Sequence, residues 1–196
     1  NPAIAAPRSP VSGLMVAFAF TLPYHVMRTA AAAGVRVHVL GGDAARGLRV
    51  SRCCRAYHRT QCAGDPEILL AEIADLVRRH AIDLVFPADD VSTRLLAALR
   101  DRLPVRCVPL PDPATFDLLN DKWNFTRFCA DNGIRAPQGR LSETLHELRR
   151  ALAGGEIALP ITVKPTNRSG GVGVRHIRGR DELDQRWEGV HREHFG

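Results

Sequence analysis

A chain of 196 residues with 45% apolar and 24% charged residues is long enough to bury a core and too apolar to be disordered. Its net charge of +6 comes from 27 Lys and Arg against 21 Asp and Glu, dispersed over helix faces (Arg78 and Arg79, Arg149 and Arg150) and one stretch from Arg46 to Arg59. With only 6% aromatics to stack on bases, nucleic acid is not the expected partner, and the longest apolar run, residues 14–22, is far short of the ~20 a membrane helix needs.

Residues 1–13 hold three prolines and no periodicity, and read as a flexible arm. Residues 14–20, LMVAFAF, are apolar at both parities, the mark of a strand covered on both faces in a parallel sheet. A helix over 23–33 should follow, ending at Gly34, and then a second strand over 35–40, where VRVHVL alternates. Asp65-Pro66-Glu67 is a helix start, with a capping carboxylate, proline at the first helical position and an acid in the first turn. Ile68, Leu69, Ile73, Leu76 and Val77 give that helix one apolar face. A strand over 82–86, a helix over 91–102 and a strand over 105–108 continue the alternation, so the expected fold is α/β, a Rossmann-like parallel sheet with helices on both sides.

The pattern changes after Pro109. Three prolines fall within 109–113, followed by predicted helices over 114–119, 121–132 and 142–153, a strand over 159–164, a Gly-rich loop, a strand over 172–177 and a helix start at Arg180. Two strands joined by a short loop should be antiparallel neighbours. A boundary near Pro111 therefore divides a Rossmann-like domain, 14–111, from a smaller α+β segment, 112–196.

The five cysteines are an odd number and form no disulfide framework. Cys53, Cys54, His58 and Cys62 are close enough in sequence to suggest zinc, but their spacing matches no common zinc pattern, and reduced thiols in a cytoplasmic protein are the preferred reading. The first βα turn reads FTLPYH, without the glycines of a dinucleotide fingerprint, which disfavours a Rossmann-type oxidoreductase.

The strongest chemical signal is VKPTNRSGGVGV over 163–174. Strand periodicity puts Thr162 and Lys164 on one face and Ile161 and Val163 on the other, so packing of the apolar face would hold Lys164 toward a cleft. The glycines would let backbone amides approach an anion closely. No G-K-[ST] ends the run, so it is not a Walker loop, and by itself it is also compatible with a mobile turn and an exposed lysine. Lys122 follows Asp121, the expected N-cap of the 121–132 helix. A cation in the first turn opposes the helix dipole, and an anion bound there would reconcile the two.

Asn120-Asp121-Lys122, followed by Gly133-Ile134-Arg135-Ala136-Pro137, resembles the opening of ATP-grasp enzymes, and the Val-Lys-Pro and Ser-Gly-Gly-Val-Gly-Val run is similar to that family's lysine strand and phosphate-covering loop. Asp83 to Asp90, DLVFPADD, resembles the end of the preceding domain in carboxylate–amine ligases and carbamoyl-phosphate-synthase-like proteins. The resemblance covers most of the chain from Gly13 onward and is strongest over 86–177. It implies a preATP-grasp domain followed by the first lobe of an ATP-grasp domain. Lys122 and Lys164 would both contact ATP, one toward the phosphates and one toward the α-phosphate and adenine edge, beneath a lid of Ser169, Gly170, Gly171 and Gly173. The implied reaction transfers a phosphoryl group from ATP to a small carboxylate and lets an amine attack the acyl phosphate, with Mg²⁺ as cofactor. In the family the adenine hinge and the Mg²⁺ ligands follow the lid hairpin, so this stretch is expected to lack them, to bind ATP weakly and to be inactive by itself. The alternative is a non-catalytic nucleotide-binding or regulatory module of the same fold. Arg94, Arg168, His176 and the Asp89-Asp90 pair could contact a second substrate, with surface roles preferred.

Overall fold

The computed structural model describes residues 10–168, 170–185 and 187. The chain divides into two compact units between Pro113 and Ala114. In the first, β1 (Ser12–Ala17), α1 (Thr21–Ala32), β2 (Arg36–Gly41), a 3-10 helix (Asp43–Val50), β3 (Cys54–Arg59), α2 (Pro66–His80), β4 (Leu84–Pro87), α3 (Asp90–Leu99) and β5 (Arg106–Cys107) follow in order. The sheet runs β3-β2-β1-β4-β5 and every pair in it is parallel.

β1 is central and wholly buried because both its faces are covered. Leu14 and Val16 enter a core with Leu69 and Ile73 of α2 and Leu96 of α3. Met15 and Ala17 enter the opposite core with Met27 of α1, Val39 of β2 and Leu48 of the 3-10 helix. Each such leucine or methionine contributes about 1.5–3 kcal/mol by leaving water, which is why the run apolar at both parities settles in the middle of the sheet.

β1 begins two residues before the expected start and ends at Ala17, so residues 18–20 leave the sheet. Asp65 caps α2 as expected, accepting from the amide of Glu67 at 2.8 Å. β3 and the 3-10 helix had no counterpart among the predicted elements. β3 reads CRAYHR and lies at the sheet edge, where one strand partner and one exposed rim let arginine and histidine occupy strand positions.

The second unit contains α4 (Pro113–Asn120), α5 (Lys122–Asp131), α6 (Leu145–Ala153) and the antiparallel pair β6 (Ile161–Val163) and β7 (Arg175–Ile177). Residues 180–185 are helical. Leu148, Ile177 and Leu183 are its buried centre, with Ile161 and Val163 packed against them. β7 starts at Arg175 rather than Val172 because Gly170, Gly171 and Gly173 adopt φ values of 65°, 78° and 73°, which turn the chain out of the extended conformation. No helix among the described residues is long and apolar enough to cross a membrane.

Candidate functional site

The site begins at the amino end of α5. Asp121 caps this helix, one carboxylate oxygen accepting from the amides of Trp123 at 3.0 Å and Asn124 at 2.8 Å. The amide of Lys122 donates to the carbonyl of Thr166 at 2.8 Å, and the amide of Asp121 donates to Asp117. The first-turn donors of α5 are therefore already satisfied within the chain. They are not the free donors that the sequence suggested could meet an anion beside Lys122.

The Lys122 side chain explains how a cation is tolerated there. Its Nζ donates to the carbonyl of Thr166 at 3.3 Å and to that of Arg168. Two carbonyl oxygens supply the partial negative charge expected of an external anion, and one ammonium hydrogen remains to be used. The same contacts fasten the start of the glycine loop to α5. Lys164 lies two residues before Thr166, so the helix lysine is fastened to the same loop that Lys164 leads into.

β6 presents its side chains in the expected alternation. Ile161 and Val163 face the core of the second unit, while Thr162 and Lys164 are exposed. The Lys164 ammonium meets no hydrogen-bond or ion-pair partner among the described residues. Across the ladder Thr162 pairs with His176, and its hydroxyl lies 3.0 Å from the imidazole Nδ1. Strand parity places Arg178 on the face of His176, so one exposed surface carries Lys164, His176 and Arg178. A shallow depression of about 340 Å³ opens there over Thr162, His176 and Arg178. Arg178 was not among the predicted candidates, although the period of two in residues 174–178 already aligned it with His176.

The glycine loop extends this surface. A Cβ placed on Gly170 or Gly171 would meet nothing within 4 Å, so these glycines serve backbone conformation rather than close packing. The amide of Val174 donates to Gly171 at 3.2 Å and closes the turn. No described residue accepts from the amides of Gly170, Gly171, Val172 or Gly173. Ser169 lies outside the described residues.

A second cleft of about 560 Å³ lies along α5, between Trp123, Arg127 and Ala130 on one side and Pro137, Arg140 and Ile157 on the other. Neither Lys122 nor Lys164 lines it. Among the described residues no group of three carboxylates is placed to hold Mg²⁺.

The first βα turn shows why no dinucleotide fingerprint is present. The Oδ2 of Asp89 accepts from the amides of Phe18 at 2.5 Å and Ala19 at 2.9 Å, where such a fold would aim amides at a pyrophosphate. Its Oδ1 accepts from Ser92, and the Ser92 hydroxyl accepts from the amide of Asp89, forming a capping box. Asp89 is thus committed to holding β1 against α3. The cysteines of the sequence motif also fail to assemble with His58: Cys53 and Cys54 pack in the core beside Met15, while Cys62 is in the other core beside Leu69.

No family model matches the chain. It is 29% identical over 112 residues to the formate-dependent phosphoribosylglycinamide formyltransferase of Chlorobaculum tepidum, a match spanning 57% of this chain and 28% of that protein. Among solved structures it resembles the biotin carboxylase domain of Hydrogenobacter thermophilus 2-oxoglutarate carboxylase, with a TM-score of 0.61, 17% identity, and coverage of 92% of this chain and 40% of that one. The L-amino acid ligase of Bacillus licheniformis gives a TM-score of 0.62 at 16% identity, covering 93% and 43%. The N5-carboxyaminoimidazole ribonucleotide synthetase of Thermotoga maritima gives 0.54 at 21% identity, covering 88% and 42%. The chain spans less than half the length of each of these relatives. In fold, the chain resembles part of each of these three solved proteins, in line with the ATP-grasp resemblance of its lysine motifs.

Proposed function

We propose that this chain is the nucleotide-gripping front portion of a cytoplasmic ATP-dependent ligase that joins a small carboxylate to an amine, with residues 14–111 as its preATP-grasp domain and 112–196 as its first grasp lobe. The observation that carries the proposal is the attachment of Lys122 to the carbonyls of Thr166 and Arg168, which ties the helix lysine to the same glycine loop as Lys164.

The local chemistry fits a polyphosphate. Lys164 provides an exposed, unpaired cation one residue after β6, and His176 and Arg178 share its face. The loop amides, with left-handed glycines and no Cβ in the way, provide neutral donors that can move onto bridging and terminal phosphate oxygens. Lys122 provides its remaining hydrogen. These groups position the nucleotide and offset the charge that develops as the γ-phosphoryl leaves. In the proposed reaction that phosphoryl passes to a carboxylate oxygen and ADP departs; the amine nitrogen then attacks the acyl carbon, and phosphate leaves. No step is assigned to Mg²⁺ on the described residues, where no three carboxylates cluster.

Calorimetry of the chain with Mg-ATP tests the proposal. Weak binding is expected, reduced at least ~10-fold by Lys164→Met through loss of a charge-assisted contact. Binding that neither Lys164→Met nor Lys122→Met alters would remove the lysines from the site. ADP release measured with a panel of amino acids and small carboxylates distinguishes a ligase from a regulatory module that only binds nucleotide.

A further inference from the structure

We propose that His38, His58 and His80 form a binding site for one divalent transition metal ion of the zinc, cobalt or nickel type. The site lies wholly within the first unit and stands independently of the nucleotide reading.

The fold brings the three imidazoles together from separate elements. β2 and β3 are parallel neighbours in which His38 pairs with Ala56 and Leu40 with His58. His38 and Leu40 share one face of β2, and Leu40 belongs to the core that α2 covers. His80 is the last residue of α2, so the end of that helix brings the third ring to this face. One ligand nitrogen from each ring lies within 4.8 Å of the others. The Nδ1 of His38 and the Nε2 of His58 are 3.4 Å apart. Two nitrogens bound tetrahedrally to zinc at 2.0–2.1 Å stand about 3.3 Å apart, so this pair already has ligand spacing. Ring centroids 4.9 Å from His80 to each of the others leave the third ligand a modest side-chain rotation to complete the set.

Imidazole nitrogens are the donor type that suits zinc, cobalt and nickel. The nearby arginines oppose a second cation, although Arg79 is paired with Asp75. Three protein nitrogens leave a fourth coordination position, and a hydroxide or other small anion there would offset that opposing charge.

The cysteines are kept out of the set. A register shift between Val37 and His38 lets Cys54 pack with the opposite core while His58 keeps the α2 face. Cys62 precedes the first residue of α2, and His80 ends it, with about 20 Å of helix between the two ends.

The test is titration of the EDTA-treated, reduced chain with Co²⁺, read by the visible ligand-field band, followed by displacement with Zn²⁺. One equivalent with tetrahedral absorption is expected. His58→Gln and His80→Gln should each weaken binding by at least ~10-fold, while His176→Gln and a Cys53→Ser, Cys54→Ser double variant should leave it unchanged. Circular dichroism of each variant confirms folding, and His80→Gln, at a helix end, serves where a strand variant does not fold. Absence of cobalt binding overturns the proposal. So does binding that the two histidine variants leave intact, or binding that disappears with the two cysteines.

Discussion

Replacing Asp89 should destabilise the first unit more than any ordinary helix cap would. Its carboxylate accepts from three amides belonging to two elements: Phe18 and Ala19 after β1, and Ser92 in α3. Loss of the cap alone costs about 1 kcal/mol. The half-buried amide of Phe18 loses a charged acceptor, which adds about 1–1.5 kcal/mol, while the exposed amide of Ala19 recovers water and adds about 0.5 kcal/mol. Asp89→Ala should therefore cost about 2.5–3 kcal/mol. Asp89→Asn should cost roughly half, because its single carbonyl oxygen can serve either Ser92 or the turn but not both. Urea unfolding separates the two units conveniently. Trp123 and Trp187 both belong to the second unit, whereas Tyr24 and Tyr57 belong to the first. The tyrosine and far-ultraviolet dichroism midpoint should fall by about 1 M in the alanine variant with an unchanged slope. A cost below about 0.5 kcal/mol for alanine, or equal costs for alanine and asparagine, would refute the bridging role.

Four further outcomes are expected. Gly13→Ala places a Cβ 2.7 Å from Val35 Cγ1 and 2.9 Å from Phe86 Cε1 in the middle of the sheet, and should cost about 1–3 kcal/mol in a thermal or urea melt. Gly171→Ala meets no neighbour but forces alanine to φ 78°, so it should weaken Mg-ATP binding in calorimetry while costing little global stability, about 1–2 kcal/mol confined to the loop. Lys122→Met should speed tryptic cleavage after Arg168 by about 5–30-fold in the nucleotide-free chain, the effect of losing 1–2 kcal/mol of loop attachment, whereas Lys164→Met should not. In the metal-free chain His38 titrates at about 4 against 6.5 when unfolded, so the unfolded chain takes the proton first: stability is whole above about pH 6.5 and falls toward pH 4. The ceiling on that loss is ~3 kcal/mol, reduced by solvent screening, and His38→Gln should flatten the slope in urea melts across this range.

The layered fold was readable because its decisive residues had no competing reading. β1 is apolar at both parities, and Asp65-Pro66-Glu67 combines three helix-start features in three residues. β3 was not readable because an edge strand is selected by its hydrogen bonds to β2, which leave arginine and histidine free to alternate in it. In the hairpin, the faces of Lys164 and Val163 followed from the period of two. The partner of the Lys122 ammonium did not. It is a pair of backbone carbonyls 44 and 46 residues away, and no side-chain pattern marks a carbonyl as an acceptor. His38 and His80 were likewise passed over, since each is unremarkable alone and only the packing of α2 on β2 and β3 makes them neighbours.

Two places where the chain has the backbone geometry to receive a phosphate are filled by its own groups. After β1, Asp89 takes the amides that a dinucleotide would need. At α5, Asp121 and the carbonyl of Thr166 take the first-turn donors, and the carbonyls of Thr166 and Arg168 engage the Lys122 ammonium. Donors already satisfied in this way gain little by exchanging one acceptor for another, so under the proposed function neither location is expected to drive nucleotide binding. The Lys164 ammonium and the amides of the exposed residues Gly170, Gly171 and Val172 are different, because water is their competitor. They stand on the exposed side of β6 and in the turn that follows it, where binding a polyphosphate adds interactions without first breaking any within the chain. That asymmetry ranks Lys164 above Lys122 in its effect on affinity and Lys122 above Lys164 in its effect on the loop. The two substitutions should therefore separate binding from loop order, instead of producing the same loss twice.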